Sequence, residues 1–577
     1  MARFLSAISQ FLSKEHITAK ADFNRWLVPP AALAIHLSIG MAYGFSVFWK
    51  PLGNVLLDSS GQPLATCAAG AASFGEKLNG TLRALTATDC NWTQFDLGWM
   101  YTLFFVLLGC SAAVWGSWLE RAGPRKAGLV AALCWCGGLL ISALGIYSHQ
   151  LWMMWLGSGV IGGIGLGLGY ISPVSTLIKW FPDRRGMATG MAIMGFGGGA
   201  MIGSPLATKL MTTFGTEVNG VVHPGIWQTF VALALVYAVF MVCGALGYRV
   251  PPTGWKPANW TPPASKTNTM IATQHVHLNK AHKTPQFWLL WLVLCMNVSA
   301  GIGIIGAAAP MLQETFGGAL IAEKGTADFA LGFADIKQNE TLVVAAAAVG
   351  AGFVGLISLF NIFGRFFWAS ASDTLGRKRT YIIFFVLGAA LYVAASQMAG
   401  LKSLALFVAC FCIIASMYGG GFATIPAYLA DMFGTQFVGA IHGRLLTAWS
   451  TAGILGPVIV NYMHDVRLES GVPFADIYAP IFYVLACMLV VGFVANLLVK
   501  PVTSHYFMTE AELAIEKKRA HEVSIEAVQK QSVSANHSAS VTPKAAGFIA
   551  SLAWLAVGIP IVYGVTSTVQ KAWVLFS

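Results

Sequence analysis

Residues 116–126 read GSWLERAGPRK and residues 369–379 read ASASDTLGRKR. The segments stand 253 positions apart, and the register between them holds residue by residue. Glu120 falls on Asp373, Gly123 on Gly376, Arg125 on Lys378 and Lys126 on Arg379. The same offset carries Pro173 onto Pro426, Gly186 onto Gly439, Gly190 onto Gly443 and Gly203 onto Gly456. An ungapped match of this length signals a duplicated structural unit. If each copy holds an even number of membrane helices, both copies point the same way. The pair is then related by an axis along the membrane normal.

Working outward, the chain around these segments is built for lipid. Of its 577 residues 56% are hydrophobic and only 10% charged, where a soluble domain carries roughly 25% charge. A span needs about 20 mostly apolar residues. The sequence predicts spans near 27–49, 95–118, 127–148, 151–178, 187–206 and 226–248. A second set lies near 286–310, 342–368, 380–400, 404–430, 438–462 and 476–499, and a thirteenth near 547–569. Gly159, Gly163 and Gly167 share one face of the fourth predicted helix, and Gly195, Gly199 and Gly203 one face of the fifth; such stripes predict close helix packing. No strand precedes them, so they are not nucleotide loops. The expected fold is an all-α polytopic membrane protein with two parallel six-helix bundles and one extra C-terminal transmembrane helix.

Charge orients it. With the N-terminus in the cytoplasm, twenty-five Lys and Arg fall in cytoplasmic segments and nine on the opposite side, leaving Arg365 inside a span. That asymmetry predicts a multi-pass protein of the cell (inner or plasma) membrane with its N-terminus cytoplasmic. The net charge of +11 is then loop charge, and no nucleic-acid motif accompanies it. The organisation follows: a cytoplasmic amphipathic N-terminus at 1–26, an N-terminal bundle at 27–249, a cytoplasmic loop at 250–284, a C-terminal bundle at 285–500, a cytoplasmic tail at 501–546, and the extra helix with the C-terminus at 547–577. Phe4, Leu5, Ile8, Phe11 and Leu12 share a helical face, which predicts a short helix lying on the membrane. In the tail, Thr509 and Glu512 form a capping-box pattern ahead of Lys517–Arg519, a short helix that could serve a cytoplasmic partner. Eight of the ten cysteines sit in predicted spans. Cys67 and Cys90 share one outward loop, where a disulfide and two free thiols are both open.

Three further stretches narrow the family. They are RWLVPPAALAIHLSIGMAYGFSVFWKPL at 25–52, GYISPVSTLIKWFPDRRGMATGMAIMGFGGG at 169–199, and VPPTGWKPANWTPP at 250–263. With the paired loop motifs, they resemble the major facilitator superfamily, and within it the oxalate:formate antiporter branch, whose members move small carboxylate anions. The resemblance covers about 24–500, leaving the thirteenth helix outside it. It implies that Glu120, Arg121, Gly123, Arg125, Lys126, Asp373, Gly376, Arg377 and Arg379 form the cytoplasmic gating motif. Carboxylates would meet helix N-termini of the opposite bundle, glycines would allow the tight turns, and cations would tether the gate. Glu120 and Ala369 depart from the family's usual Asp and Gly.

Arg365, within NIFGRFFWASASD, stands eight residues before Asp373, hence about 12 Å deeper along a helix. A guanidinium at that depth faces a cavity or a partner, and no Asp or Glu lies at comparable depth in any predicted span. A substrate carboxylate is the expected partner; snorkelling to the headgroups, or hydrogen-bonding to carbonyls at the helix end, is the alternative. The resemblance also implies a substrate-binding Arg on this helix. It departs from the pattern at Trp449, where oxalate-exchanging members carry Lys, and at Asn361, where proton-coupled monocarboxylate symporters carry Asp. One cation balances one negative charge, so the expected cargo is a small monocarboxylate such as formate, lactate or pyruvate, moved by exchange or linked to a proton. An oxalate/formate-type dicarboxylate antiporter or a transporter-like anion sensor is the alternative. Tyr43, Tyr170, Tyr418, Phe422 and Trp449 are candidate cavity rings, each equally readable as packing. His36 in the first helix is a candidate proton carrier, or a satisfied structural group.

The rival class is an enzyme embedded in the bundle. It would need nucleophile, acid–base or metal groups inside the bundle, and the spans offer almost none. His275, His277 and His282 gather in the middle loop without HExxH spacing or cysteine partners, as a solvated loop would. No cofactor is expected, and the partners are a small organic anion and the lipid bilayer.

Overall fold

In a computed structural model, the protein is described over residues 15–515 and 543–572, apart from loop positions 21–22, 57, 59–63, 70–73, 219–220, 253–254, 258–259, 261–270, 273, 323–325, 337 and 339. The surface helix expected at Phe4–Leu12 and the basic end of the tail helix at Lys517–Arg519 lie outside the described residues.

Thirteen helices are long and apolar enough to cross a membrane. The first six are α1 (Arg25–Phe45), α2 (Gln94–Ala122), α3 (Pro124–Tyr147), α4 (Leu151–Trp180), α5 (Arg185–Thr213) and α6 (Ile226–Gly247). The next six are α7 (Pro285–Phe316), α8 (Glu340–Leu375), α9 (Arg377–Gly400), α10 (Leu404–Phe433), α11 (Val438–Leu468) and α12 (Ala479–Leu498). The last is α13 (Pro543–Ala572). Each predicted span coincides with one of these. Several ends run past their predicted limits, among them α5 by seven residues and α7 and α11 by six each; with α8 starting at Glu340, the connection from α7 to α8 is shorter than the sequence suggests. Among the described residues the only strands are β1 (Thr216–Val218) and β2 (Val221–His223), an antiparallel ribbon joining α5 to α6. The fold is all-α in its membrane body.

The duplication is visible in the backbone. Gly123 and Gly376 both adopt φ +86°, the left-handed region that side chains avoid, and each turns the chain sharply from α2 into α3 or α8 into α9. Arg125 then donates to the carbonyls of Leu246 and Tyr248 at the end of α6, and Lys378 to those of Leu497 and Val499 at the end of α12. These motif cations therefore cap C-terminal carbonyls within their own halves.

The halves meet along two seams, α5 on α8 and α2 on α11. Both are crossed by glycines. A Cβ on Gly190 would lie 2.8 Å from the Arg365 carbonyl oxygen, and one on Gly443 would lie 2.2 Å from that of Ala112. Arg365 and Ala112 are equivalent in the 253-residue register, so one backbone contact serves both seams. The predicted stripes pack as expected: Gly163 and Gly167 against α2, Gly195 and Gly199 against α1.

The large loop after α1 is folded. Cys67 and Cys90 form a disulfide, Thr93 and Asp96 cap α2, and Trp92 stacks on His149 with centroids 4.3 Å apart. On the motif face, His275, His277 and His282 are docked rather than solvated. Val276 donates its N–H to Phe433 O, Met508 to His275 O, and Arg444 contacts His282 Nδ1 at 2.8 Å. The capping box of Thr509 and Glu512 forms, and Glu512 pairs with Lys280 at 3.0 Å.

The disulfide yields a direct check. With the eight free cysteines replaced by serine or alanine, a membrane-impermeant maleimide should add no label to the parent loop and one label to its Cys67→Ser variant. Mass tagging from each side in turn also reports which compartment the loop faces.

Candidate functional site

The centre of the molecule, between the two seams, is aromatic. α1 contributes Tyr43, α4 Tyr170, α10 Tyr418 and Phe422, and α11 Trp449. Tyr170 and Trp449 are fully buried, and Phe422 packs on Trp449 with centroids 4.3 Å apart. Tyr43 and Tyr418 reach across the halves to a 3.2 Å hydrogen bond between hydroxyls. The sequence-derived rings thus do come together. Two others join them: Phe105 of α2 stands 5.7 Å from Trp449, and Phe196 of α5 5.5 Å. Phe196 was legible in principle, because it is the register equivalent of Trp449. The two occupy the same position in each copy and touch where the copies meet.

Arg365 enters this cluster from α8 and is fully buried. Its Nε donates to Asn361 Oδ1 at 2.8 Å, one turn earlier, and Nη1 donates to Ile193 O of α5 at 3.3 Å. Its Cζ lies 5.4 Å from the Phe422 ring and 5.8 Å from that of Phe196, within cation–π range. Nη2 is buried with no hydrogen-bond partner. Among the described residues no ion pair includes Arg365. The side chain does not snorkel; it points between the halves. Unpartnered polar atoms nearby are the Tyr170 hydroxyl, Trp449 Nε1 and Asn297 Oδ1.

Glycine makes this placement possible. A Cβ on Gly419 of α10 would stand 2.3 Å from Asn361 O and 3.0 Å from Arg365 Cγ, and one on Gly197 of α5 would stand 3.2 Å from Arg365 Nε. The guanidinium is clamped between bare backbone on one side and aromatic faces on the other. His36, also fully buried, lies beside it: Nδ1 contacts Ala192 O and Nε2 faces Tyr170 O at 3.1 Å.

At the motif face, Asp373 accepts from the backbone N–H groups of Gly186 and Met187 at 2.9 and 3.0 Å, crossing from α8 to the N-terminus of α5. Unsatisfied N–H groups and the helix dipole favour a carboxylate there. Arg377 bonds Asp373 at 2.6 Å and Asp431 at 3.0 Å, and Arg185 bonds Asp431 at 2.9 Å, so the cluster ties both halves. Thr189 adds a bond to Ala423 O at 2.7 Å. Asp431, Arg185 and Thr189 were not singled out from sequence, because their register equivalents, Ile178, Val438 and His442, break the repeat. Glu120 bonds Ser175 at 3.0 Å and Lys179 at 2.5 Å within its own half, while lying 2.6 Å from where a Cβ on Gly439 would sit. Arg121 and Arg379 are exposed, and Lys126 is half-buried.

The sequence matches the Major Facilitator Superfamily profile over residues 64–334 and again over 299–571. It is 25% identical to YhjX, described as an uncharacterized MFS-type transporter of Escherichia coli (strain K12), across 65% of this chain and 80% of that one. It is 25% identical to the oxalate:formate antiporter of Oxalobacter formigenes, across 62% of this chain and 73% of that protein. Apicoplast pyruvate carrier 1 of Toxoplasma gondii is 24% identical across 60% of this chain and 66% of the carrier. Among solved structures, a bacterial homologue of the iron transporter ferroportin superposes with a TM-score of 0.51 at 12% identity, covering 82% of this chain and 99% of that one, a likeness of fold.

Replacing Gly419 by Ala puts a methyl group into backbone that cannot yield. Overpacking of this kind costs about 1–3 kcal/mol. Gly419→Ala should lower the melting temperature in detergent by several degrees, whereas Gly558→Ala, whose Cβ would meet nothing, should leave it unchanged.

Proposed function

Since the chain belongs to the Major Facilitator Superfamily and is a multi-pass membrane transporter related to the oxalate:formate branch, we propose that it carries a small monocarboxylate, such as formate, lactate or pyruvate, by alternating access, through exchange or linked to a proton. The observation that carries this reading is the free Nη2 of Arg365. A buried guanidinium without a carboxylate is costly, by several kcal/mol near a bilayer centre. An anion that reached Nη2 would relieve that cost and gain a charge-assisted hydrogen bond. Tyr43 and Tyr418 would orient it through their hydroxyls, while Phe196, Phe422 and Trp449 limit its size. Asn361 fixes the fork of the guanidinium rather than neutralising it.

Charge count favours one negative charge. Among the described residues, Arg365 is the one Lys or Arg that reaches the aromatic cluster, and Trp449 fills the place where oxalate exchangers carry Lys. A dianion would keep a net negative charge in a low dielectric. Oxalate exchange is the second reading, favoured by the similarity to the oxalate:formate antiporter. We place the N-terminus and the motif face in the cytoplasm of the cell, in agreement with the Lys and Arg asymmetry, and the loop with Cys67–Cys90 in the oxidising compartment outside. In this orientation the Asp373–Arg377–Asp431–Arg185 cluster is the inward gate, closed.

Uptake of labelled formate, lactate, pyruvate and oxalate into proteoliposomes tests the reading. At least one monocarboxylate should move faster than oxalate. Arg365→Ala should lower that uptake about 100-fold or more, the loss of a charge-assisted pair in a dry site. Faster oxalate exchange in the parent protein would sink the monocarboxylate assignment.

Trp449→Lys should move selectivity towards oxalate, about tenfold in the ratio of oxalate to monocarboxylate uptake for a partly screened second charge.

A further inference from the structure

His36 and Arg365 reach one turn of α5 from different helices. Arg365 Nη1 donates to Ile193 O, and His36 Nδ1 contacts the carbonyl of the preceding residue, Ala192. The Phe196 ring stands near both, 6.4 Å from the imidazole centroid and 5.8 Å from Arg365 Cζ. The second imidazole nitrogen, Nε2, faces Tyr170 O at 3.1 Å.

Both neighbours of the ring are therefore carbonyl oxygens, which accept hydrogen bonds and never donate. A neutral imidazole carries one N–H; its other nitrogen presents a lone pair. One of the two contacts then sets lone pair against lone pair, in a ring with no exposed surface. The imidazolium carries two N–H groups and satisfies both carbonyls. Geometry thus prepares His36 for a second proton. Two things oppose that proton: the ring has no exposed surface, so a charge on it is cut off from water, and the positive Arg365 reaches the same turn of α5. A carboxylate on Nη2 of Arg365 removes the second of these.

We propose that His36 is the proton site of this transporter, taking up one proton as the carboxylate binds Arg365 and releasing it when the anion leaves. The proposal rests on the anion reading above and deepens it. The proton adds to the imidazole nitrogen lacking one, no bond to carbon changes, and a monoanion with one proton crosses as a neutral pair. Linkage is reciprocal: the factor by which the anion raises proton affinity is the factor by which the proton raises anion affinity, about 5–150-fold for a typical coupling.

The surroundings single out His36. Facing it are the Tyr170 ring of α4 at 5.4 Å, Arg365 of α8, and His442 of α11, which lies 6.0 Å from Tyr170. α3 and α6 meet α1 through Gly128, Gly244 and Ala245, and α13 through Trp554 and Val557, none of them titratable. On α6, Tyr237 approaches Gly203 and Met41, more than one turn from His36, and the Cys243 thiol is exposed. His442 is as deeply buried as His36, but neither of its nitrogens has a hydrogen-bond partner, so nothing there stabilises an imidazolium.

The experiment uses the full chain in proteoliposomes and labelled formate, lactate and pyruvate. An inward proton gradient should accelerate net uptake of the transported anion about tenfold, with matching proton influx on an internal pH dye and no effect of membrane potential. His36→Gln keeps an N–H donor but cannot gain a proton. At saturating anion it should still exchange anion for anion, with an apparent affinity lowered by the coupling factor of about 5–150-fold, while gradient-driven accumulation and proton influx fall to background. His442→Asn should keep both. Gradient-driven accumulation and proton influx that survive His36→Gln would overturn the proposal. So would parent protein whose anion uptake brings in no proton, a result independent of any variant's folding. If the parent moves none of the three anions, the monocarboxylate reading itself has failed, and the two failures are told apart.

Discussion

A guanidinium held away from water must find a counter-charge, and every feature of the centre of this molecule is arranged around that demand. Arg365 spends Nε on Asn361 and Nη1 on Ile193 O, both neutral acceptors, and keeps Nη2 unbonded. Neutral acceptors orient a cation without discharging it. A carboxylate in Asn361's place would form an internal ion pair with the guanidinium whenever it is ionised. The amide holds the fork at the same angle while leaving the charge available. Aromatic faces on Phe196 and Phe422 partly stabilise the buried charge.

Symmetry positions this charge and asymmetry makes it useful. The α5–α8 and α2–α11 seams cross at equivalent glycines, Gly190 and Gly443, which touch the backbone of Arg365 and Ala112 respectively. The scaffold therefore offers two equal places, and only one carries a cation. The gate divides in the same way. Asp373 caps the first turn of α5 from the other half and joins Arg377, Asp431 and Arg185, whereas Glu120 is held by Lys179 and Ser175 of its own half. One seam is thus tied by a charged network that includes Asp431 and Arg185; at the other, Glu120 binds Lys179 and Ser175 while its carboxylate lies against Gly439 of α11.

The thirteen spans and the duplication were legible because each rests on a long signal: twenty apolar residues, or a register held over four helices. Arg365 was legible because charge in a span is rare. The pairing of Cys67 with Cys90 was left open, since a loop's path depends on contacts such as Trp92 on His149 that carry no periodicity. Motif cations were read as tethers of the gate, yet Arg125 and Lys378 serve carbonyls at the ends of α6 and α12, a local need that a loop sequence does not display. The cross-seam partners Arg185, Thr189 and Asp431 escaped because they lie where the two copies differ, and a reading built on likeness is blind there. The same holds for the carbonyls around His36: backbone atoms have no letter in a sequence.

α13 adds a constraint of its own. It packs on α1 and α5 of one half and on α8 of the other, so it straddles the seam that carries Arg365. Val557 sits with Leu33 and Ala34, Trp554 Nε1 donates to Trp26 O at 3.1 Å, and Gly355 of α8 meets Thr568. Any motion that opens α5 from α8 must shear one of these contacts. Those on α1 include a hydrogen bond and a buried valine, and those on α8 include Val565 packed against Leu359 and Ile362. Its remaining surface is largely exposed to lipid. A span that touches both halves must give way on one side whenever the seam between them opens, so its contacts on α1, α5 and α8 constrain any such opening.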